Sequence, residues 1–136
     1  MAILKNKEQI LAADDLGRET VAVPEWGGEV IVRQMTGAER DAWEMALIWR
    51  EGEEPEPARA RVMSNIRARL VALCAIDDSG ARLFSDADAA ALGRKNGDAI
   101  DRLYQAAKRL NRLTKADVAA AEKNSGPGPS ADSTSA

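Results

Sequence analysis

The stretch that most constrains this chain is "ETVAVPEWGGEVIVRQMTGAER", residues 19 to 40. Val21 and Val23 alternate with other residues in a first run, and Val30 and Val32 do the same in a second. Residues two apart share one face of a strand, so each run reads as half-buried β. Between them, Pro24 removes a ladder donor at a strand end, and Gly27 and Gly28 accept positive φ without a side-chain penalty. The spacing predicts a β-hairpin over about 19–34. A lone two-stranded hairpin is marginal in water, so it must lie on helices or pair with another chain. Its open edges invite partners.

A helix start follows at once. Thr36-Gly37-Ala38-Glu39 has the form of a capping box, in which the threonine hydroxyl accepts from the Glu39 amide and the glutamate reaches back to the Thr36 amide. A helix over about 38–50 puts Ala42, Met45, Ala46 and Trp49 on one stripe, with Trp43 and Leu47 on its flank. So wide an apolar arc is either buried on two sides or offers one side to a partner. "EGEEPEP", with four glutamates and two prolines, then reads as a solvated loop.

A central helix over about 57–75 carries Val62, Met63, Ile66, Leu70, Leu73 and Cys74 as a core stripe, with Arg59, Arg61, Arg67 and Arg69 largely off it. Asp77, Asp78, Ser79 and Gly80 form a turn between short apolar runs, a tiny hairpin. Ser85 caps a helix over about 86–95, whose first turn holds Asp86 and Asp88. Asn96 and Gly97 interrupt it. A helix over about 98–113 turns Ile100, Leu103, Ala107 and Leu110 inward and sets Lys108, Arg109 and Arg112 near its negative end.

Short helices are also expected over 6–13, where packing must support so brief an element, and over 115–123, capped by Thr114. "SGPGPSADSTSA" has no apolar period to offset its ordering entropy. The expected architecture is a single α+β domain over 1–124, mostly helical, with the hairpin packed on a helical bundle and a disordered tail over 125–136.

Catalytic chemistry finds little to use. The chain has no histidine and one cysteine, which removes Ser–His and Cys–His nucleophile pairs and the common zinc sites. Cys74 lies inside "LVALCAI" and reads as a small buried hydrophobe. Asp77 and Asp78 are the nearest approach to paired carboxylates, and adjacent acids in a turn serve first as turn formers. No enzyme activity, cofactor or metal is therefore expected. A net charge of −3 leaves no electrostatic footprint for nucleic acid, and the glutamates at 51, 53, 54 and 56 offset the neighbouring arginines. The longest apolar run is seven residues, far below the roughly 20 that cross a bilayer. Neither nucleic acid nor membrane is an expected partner.

The tryptophans are what remains. For Trp43 and Trp49 core packing comes first and contact with a partner second. Trp26, on a five-residue turn, either folds back onto the first long helix or projects as an interface anchor. A partner surface would combine Trp26 with Trp43, Leu47 and Trp49.

"ILAADDLGRETVAVPEWGGEVIVRQMTGAER", "LVALCAIDDSGARLFSDADAAAL" and a helix ending in "AAEKNS" together resemble the tail assembly chaperones of long-tailed bacteriophages, over roughly residues 8 to 125. The resemblance implies a binding protein that works in the host cytoplasm during assembly and is absent from the finished virion. It implies two partners, the tape measure protein, which it keeps soluble, and tail tube subunits; self-association is left open. Such proteins are often made in two lengths by ribosomal frameshifting. Glu122-Lys123-Asn124 can be encoded as GAA AAA AAC, which contains the slippery run A AAA AAC. The alternative reading is a tail-completion or head–tail connector protein that stays in the particle.

Overall fold

The computed structural model describes residues 1–113; the helix expected over 115–123, the tail and the Glu122-Lys123-Asn124 segment lie outside them. The hairpin forms as its alternation requires. Strands β1 (Arg18–Val23) and β2 (Gly28–Arg33) pair antiparallel, with Val21 opposite Val30 and Glu19 opposite Val32. Pro24–Trp26 makes a single 3-10 turn, and Gly27 closes it at φ 77°, a left-handed conformation that a side chain would strain.

A third strand completes the sheet, which the sequence reading missed. The apolar run "LVALCAI" divides: its first part is helix and its end, β3 (Ala75–Ile76), pairs antiparallel with β2 through Val32–Ala75 and Ile31–Ile76. The tiny hairpin expected beyond it is present. Ile76 bridges to Arg82, the Asp77 amide donates to the Ala81 carbonyl at 2.8 Å, and Leu83 donates to Ala75 at 3.0 Å. Edge protection thus falls on β2, which lies at the centre, while β1 remains an edge.

Before the sheet, α1 (Lys7–Leu11) is capped by Asn6 and Gln9 but buries no residue. After it come α2 (Gly37–Leu47), α3 (Pro55–Met63), α4 (Ile66–Cys74), a 3-10 turn at Asp86–Asp88 leading into α5 (Ala89–Leu92), and α6 (Gly97–Asn111). The expected Thr36–Glu39 capping box forms, and Ser85, expected as a cap, makes a box of its own with Asp88. Helix α6 packs against α4 and against the face of β1 and β2 that carries Val21, Val23 and Val32. Ile100, Leu103, Tyr104 and Ala107 are its buried residues in this layer, joined by Leu70, Val71 and Cys74 of α4; Leu110 is half-buried.

Three helical expectations change. The helix expected over 57–75 starts at Pro55 and is broken, because Ser64 is extended and Asn65 takes the left-handed conformation (φ 52°, ψ 33°). The break re-aims α4, so that Ala68, Val71 and Ala72 join the core, while Met63 is exposed and Leu73 half-buried. The helix expected over 86–95 shrinks to the 3-10 turn and the short α5. Helix α2 ends at Leu47, short of the expected residue 50, and of its wide apolar arc Trp43 and Leu47 are buried, whereas Ala42 and Met45 face outward and Trp49 lies beyond the helix.

Candidate partner-binding surface

The polar groups first singled out for chemistry serve the fold. Asp77 Oδ1 accepts from the Ser79 amide (2.8 Å), the Ser79 hydroxyl (2.7 Å) and the Ala81 amide (3.0 Å), and the Ser79 hydroxyl leads in holding this carboxyl below its ordinary range. It is a turn former. Burial pushes the Cys74 thiol up to about 11, so it stays a protonated, inert filler of the core. Among the described residues no group of three acids or cysteines is placed to hold a metal ion, and no helix is long and apolar enough to cross a membrane.

The tryptophan turn is built and held from two sides. Arg102 of α6 forks onto Glu25 with two 2.8 Å hydrogen bonds and reaches the Ala22 carbonyl at 3.5 Å, tying the hairpin tip to the helix. That guanidinium lowers the Glu25 carboxyl to about 2. Trp26 is left half-buried, against the core on one side and open on the other. It folds back toward α5 rather than onto α2. With Phe84, Asp88, Ala91, Leu92 and Lys95 it lines a groove of about 380 Å³. The floor is apolar; Asp88 and Lys95 supply one charge of each sign.

The other residues expected beside Trp26 are elsewhere. Trp43 and Leu47 belong to the core, Trp49 packs half-buried against it, and none of the three lines the groove. Trp43 instead stacks beneath Arg69, whose guanidinium carbon sits 6.0 Å from the ring centroid. The indole N–H groups of all three tryptophans are buried without an acceptor among the described residues. Sequence reasoning passed over Phe84, Leu92 and Lys95. Phe84 did carry a signal, since it precedes the N-cap Ser85, where an apolar residue commonly folds onto the first turn of a helix.

With the fold and the groove in view, comparison with known proteins decides the family. A family model described as phage tail assembly chaperone matches residues 5–124, most of the chain. The chain belongs to the phage tail assembly chaperones. In three dimensions this chaperone is similar to the tail assembly chaperone of bacteriophage HK97, with a TM-score of 0.55 at 21% identity, over 76% of this chain and 95% of that one. At that identity the likeness speaks for the fold. No curated protein matches the chaperone by sequence. A tail assembly chaperone family is not an enzyme class.

Proposed function

We propose that the chaperone binds an amphipathic helical segment of the tape measure protein in the Trp26–Phe84 groove, keeps that client soluble while the tail is built, and then leaves it. The observation that carries this reading is the groove itself: two aromatic rings and Leu92 on one apolar floor, beside a turn that the Arg102–Glu25 pair ties to α6. Aromatic anchors in rigid pockets supply most of the energy of such contacts, and a helical client needs only an apolar stripe to use them. Many copies along one client add avidity without strong individual contacts.

Tail tube recruitment belongs, on this reading, to a longer product made by slippage at Glu122-Lys123-Asn124, and the protein acts in the host cytoplasm without entering the virion. The gene tests the slippage, since codons that break the A-run would end it. Mass spectrometry of purified particles tests the location, and finding the chain there would overturn it. Binding is tested by co-expressing the tape measure protein with the wild-type chaperone or with Trp26→Ala. The wild type should keep the client in the supernatant and co-purify with it; unchanged solubility would defeat the reading.

A further inference from the structure

The groove beside Trp26 has two unlike ends. Its α5 wall is one face of a continuous coil: the 3-10 turn at Asp86–Asp88 runs into α5, and the Arg94 and Lys95 amides donate to the Ala91 and Leu92 carbonyls at 3.1 and 3.0 Å, which carries the coil on to Lys95. Asp88, Ala91, Leu92 and Lys95 line the groove at i, i+3, i+4 and i+7, the spacing of a single helical stripe, and Trp26 and Phe84 supply the rest of the lining. Charge therefore sits at the two ends, and the surface between them is apolar. Seven residues of coil set the two charged positions on the order of 10 Å apart, at about 1.5 Å per residue.

Both rim charges are available to a partner. Lys95 is exposed and makes no hydrogen bond or ion pair among the described residues. Asp88 is exposed as well, and only its Oδ2 is engaged, by the Ser85 amide at 2.8 Å and the Ser85 hydroxyl at 3.2 Å, so Oδ1 is open to a donor. Neighbouring charges are already paired: Asp86 with Arg82 at 2.9 Å, Arg67 with Asp101 at 3.0 Å, and Glu25 with Arg102. A groove of about 380 Å³ does not admit a helix, which is about 10–12 Å across; it admits a helix's side chains while the backbone rides on the rim. We propose that the groove selects client helices in which an acidic and a basic residue stand seven positions apart and flank a pair of adjacent apolar residues. The acid meets Lys95, the apolar pair enters between Trp26, Phe84 and Leu92, and the base meets Asp88. Client and α5 then present matching two-turn stripes, and a client with two like charges at those positions is repelled at one end. This preference rests on the client-binding role given to the groove above and adds the charges that the client must carry.

Fluorescence anisotropy with labelled helical peptides tests the preference on the full chain. The probe carries glutamate and lysine seven positions apart around two adjacent leucines. Lys95→Glu should weaken its binding about three- to tenfold, and a peptide whose glutamate is changed to lysine should recover that loss on Lys95→Glu while binding the wild type poorly. At the other end, changing the peptide's lysine to glutamine should weaken binding to the wild type about twofold, yet make no difference on Asp88→Asn, whose amide oxygen still accepts the Ser85 bonds. Absence of coupling at either end overturns the proposal. Trp26→Ala separates this preference from the reading it rests on. Charge-blind binding that Trp26→Ala abolishes keeps the groove as a client site and rejects only its charge preference. Binding that Trp26→Ala leaves intact, or no binding to the wild type, rejects the groove as a client site and the preference with it.

Discussion

Arg33 and Glu39 meet as a bidentate pair, Nη1 to Oε1 at 2.6 Å and Nη2 to Oε2 at 3.0 Å, at the junction between β2 and α2. The same carboxylate caps α2, since Oε1 also accepts from the Thr36 amide at 2.9 Å. Arg33 extends the junction to α4 and the chain beyond β2, donating to the Leu73 and Gln34 carbonyls at 3.3 and 2.9 Å. One pair therefore sets the angle at which the sheet hands over to the helices. The Arg33 side chain is only 7% exposed, so the pair is largely out of water.

Removing one partner of such a pair strands a buried charge. Glu39→Gln should destabilise the domain by about 3–5 kcal/mol, read as a fall in the denaturant midpoint at neutral pH. Arg33→Met with Glu39→Gln, which removes both charges, should recover part of that loss.

The same pair makes a pH signature. Hydrogen bonding from Arg33 lowers the Glu39 carboxyl from 4.5 to about 2. A depressed acid contributes stability that is fully present above its unfolded value and disappears as the folded group is protonated. Stability should therefore fall as pH drops from about 4.5 toward 2, with Glu39→Gln showing a shallower decline over that window in acid titrations followed by circular dichroism.

Gly93 is required by the break between α3 and α4. A Cβ there would lie 2.3 Å from Asn65 Oδ1, and Asn65 is held in place by its bond to Ala89. Gly93→Ala should cost about 1–3 kcal/mol by overpacking. Asn65→Gly, which removes the obstructing side chain and tolerates the left-handed backbone, should make Gly93→Ala nearly neutral in a double-mutant cycle.

Trp26 and Trp43 should separate binding from folding. Trp43→Ala empties a core position and should destabilise by about 3–5 kcal/mol in denaturant titration. Trp26→Ala and Phe84→Ala remove half-buried rings from the groove, so each should cost about 1–2 kcal/mol while abolishing client co-purification. Equal stability losses at Trp26 and Trp43 would make Trp26 a core residue.

The thiol reports on opening of the centre. Cys74 is fully buried, with its proton held up to about 11, and the Asn111 side-chain amide contacts Sγ at 3.7 Å. Labelling with a disulfide reagent at neutral pH should be slow in the native state and become rapid only in denaturant, on the time scale of global unfolding. Fast native labelling would show that α4 opens locally.

Much of the candidate site was legible only in part. Trp26 stood out as an aromatic on a tight turn, and the turn formed as read, but the floor beside it comes from Phe84 and Leu92, far along the chain. For α2 the apolar arc was real, and the sequence left open which part of it is buried. A helix with tryptophan, methionine, leucine and alanine on more than half its circumference does not say which part faces the core, and here the α4 surface with Arg69 selected Trp43 and Leu47. The buried Arg33 gave no sequence signal, since its partner Glu39 was already accounted for by the capping box.

By itself the sequence determined the elements that close within a few residues: the hairpin register, the left-handed Gly27 turn, the Thr36–Glu39 and Ser85–Asp88 caps, and the amphipathic α6. Each is held by bonds between near neighbours, so local residue types suffice. Only the tertiary structure decided that "LVALCAI" ends as a strand, that the central helix breaks at Asn65, and which face of α2 is buried. Those outcomes depend on partners distant in sequence: β2 offers Ile31 and Val32 an edge for Ala75 and Ile76, and α5 offers the Ala89 carbonyl to Asn65. Where local preference is nearly balanced, the long-range partner that can be buried or hydrogen-bonded chooses the conformation.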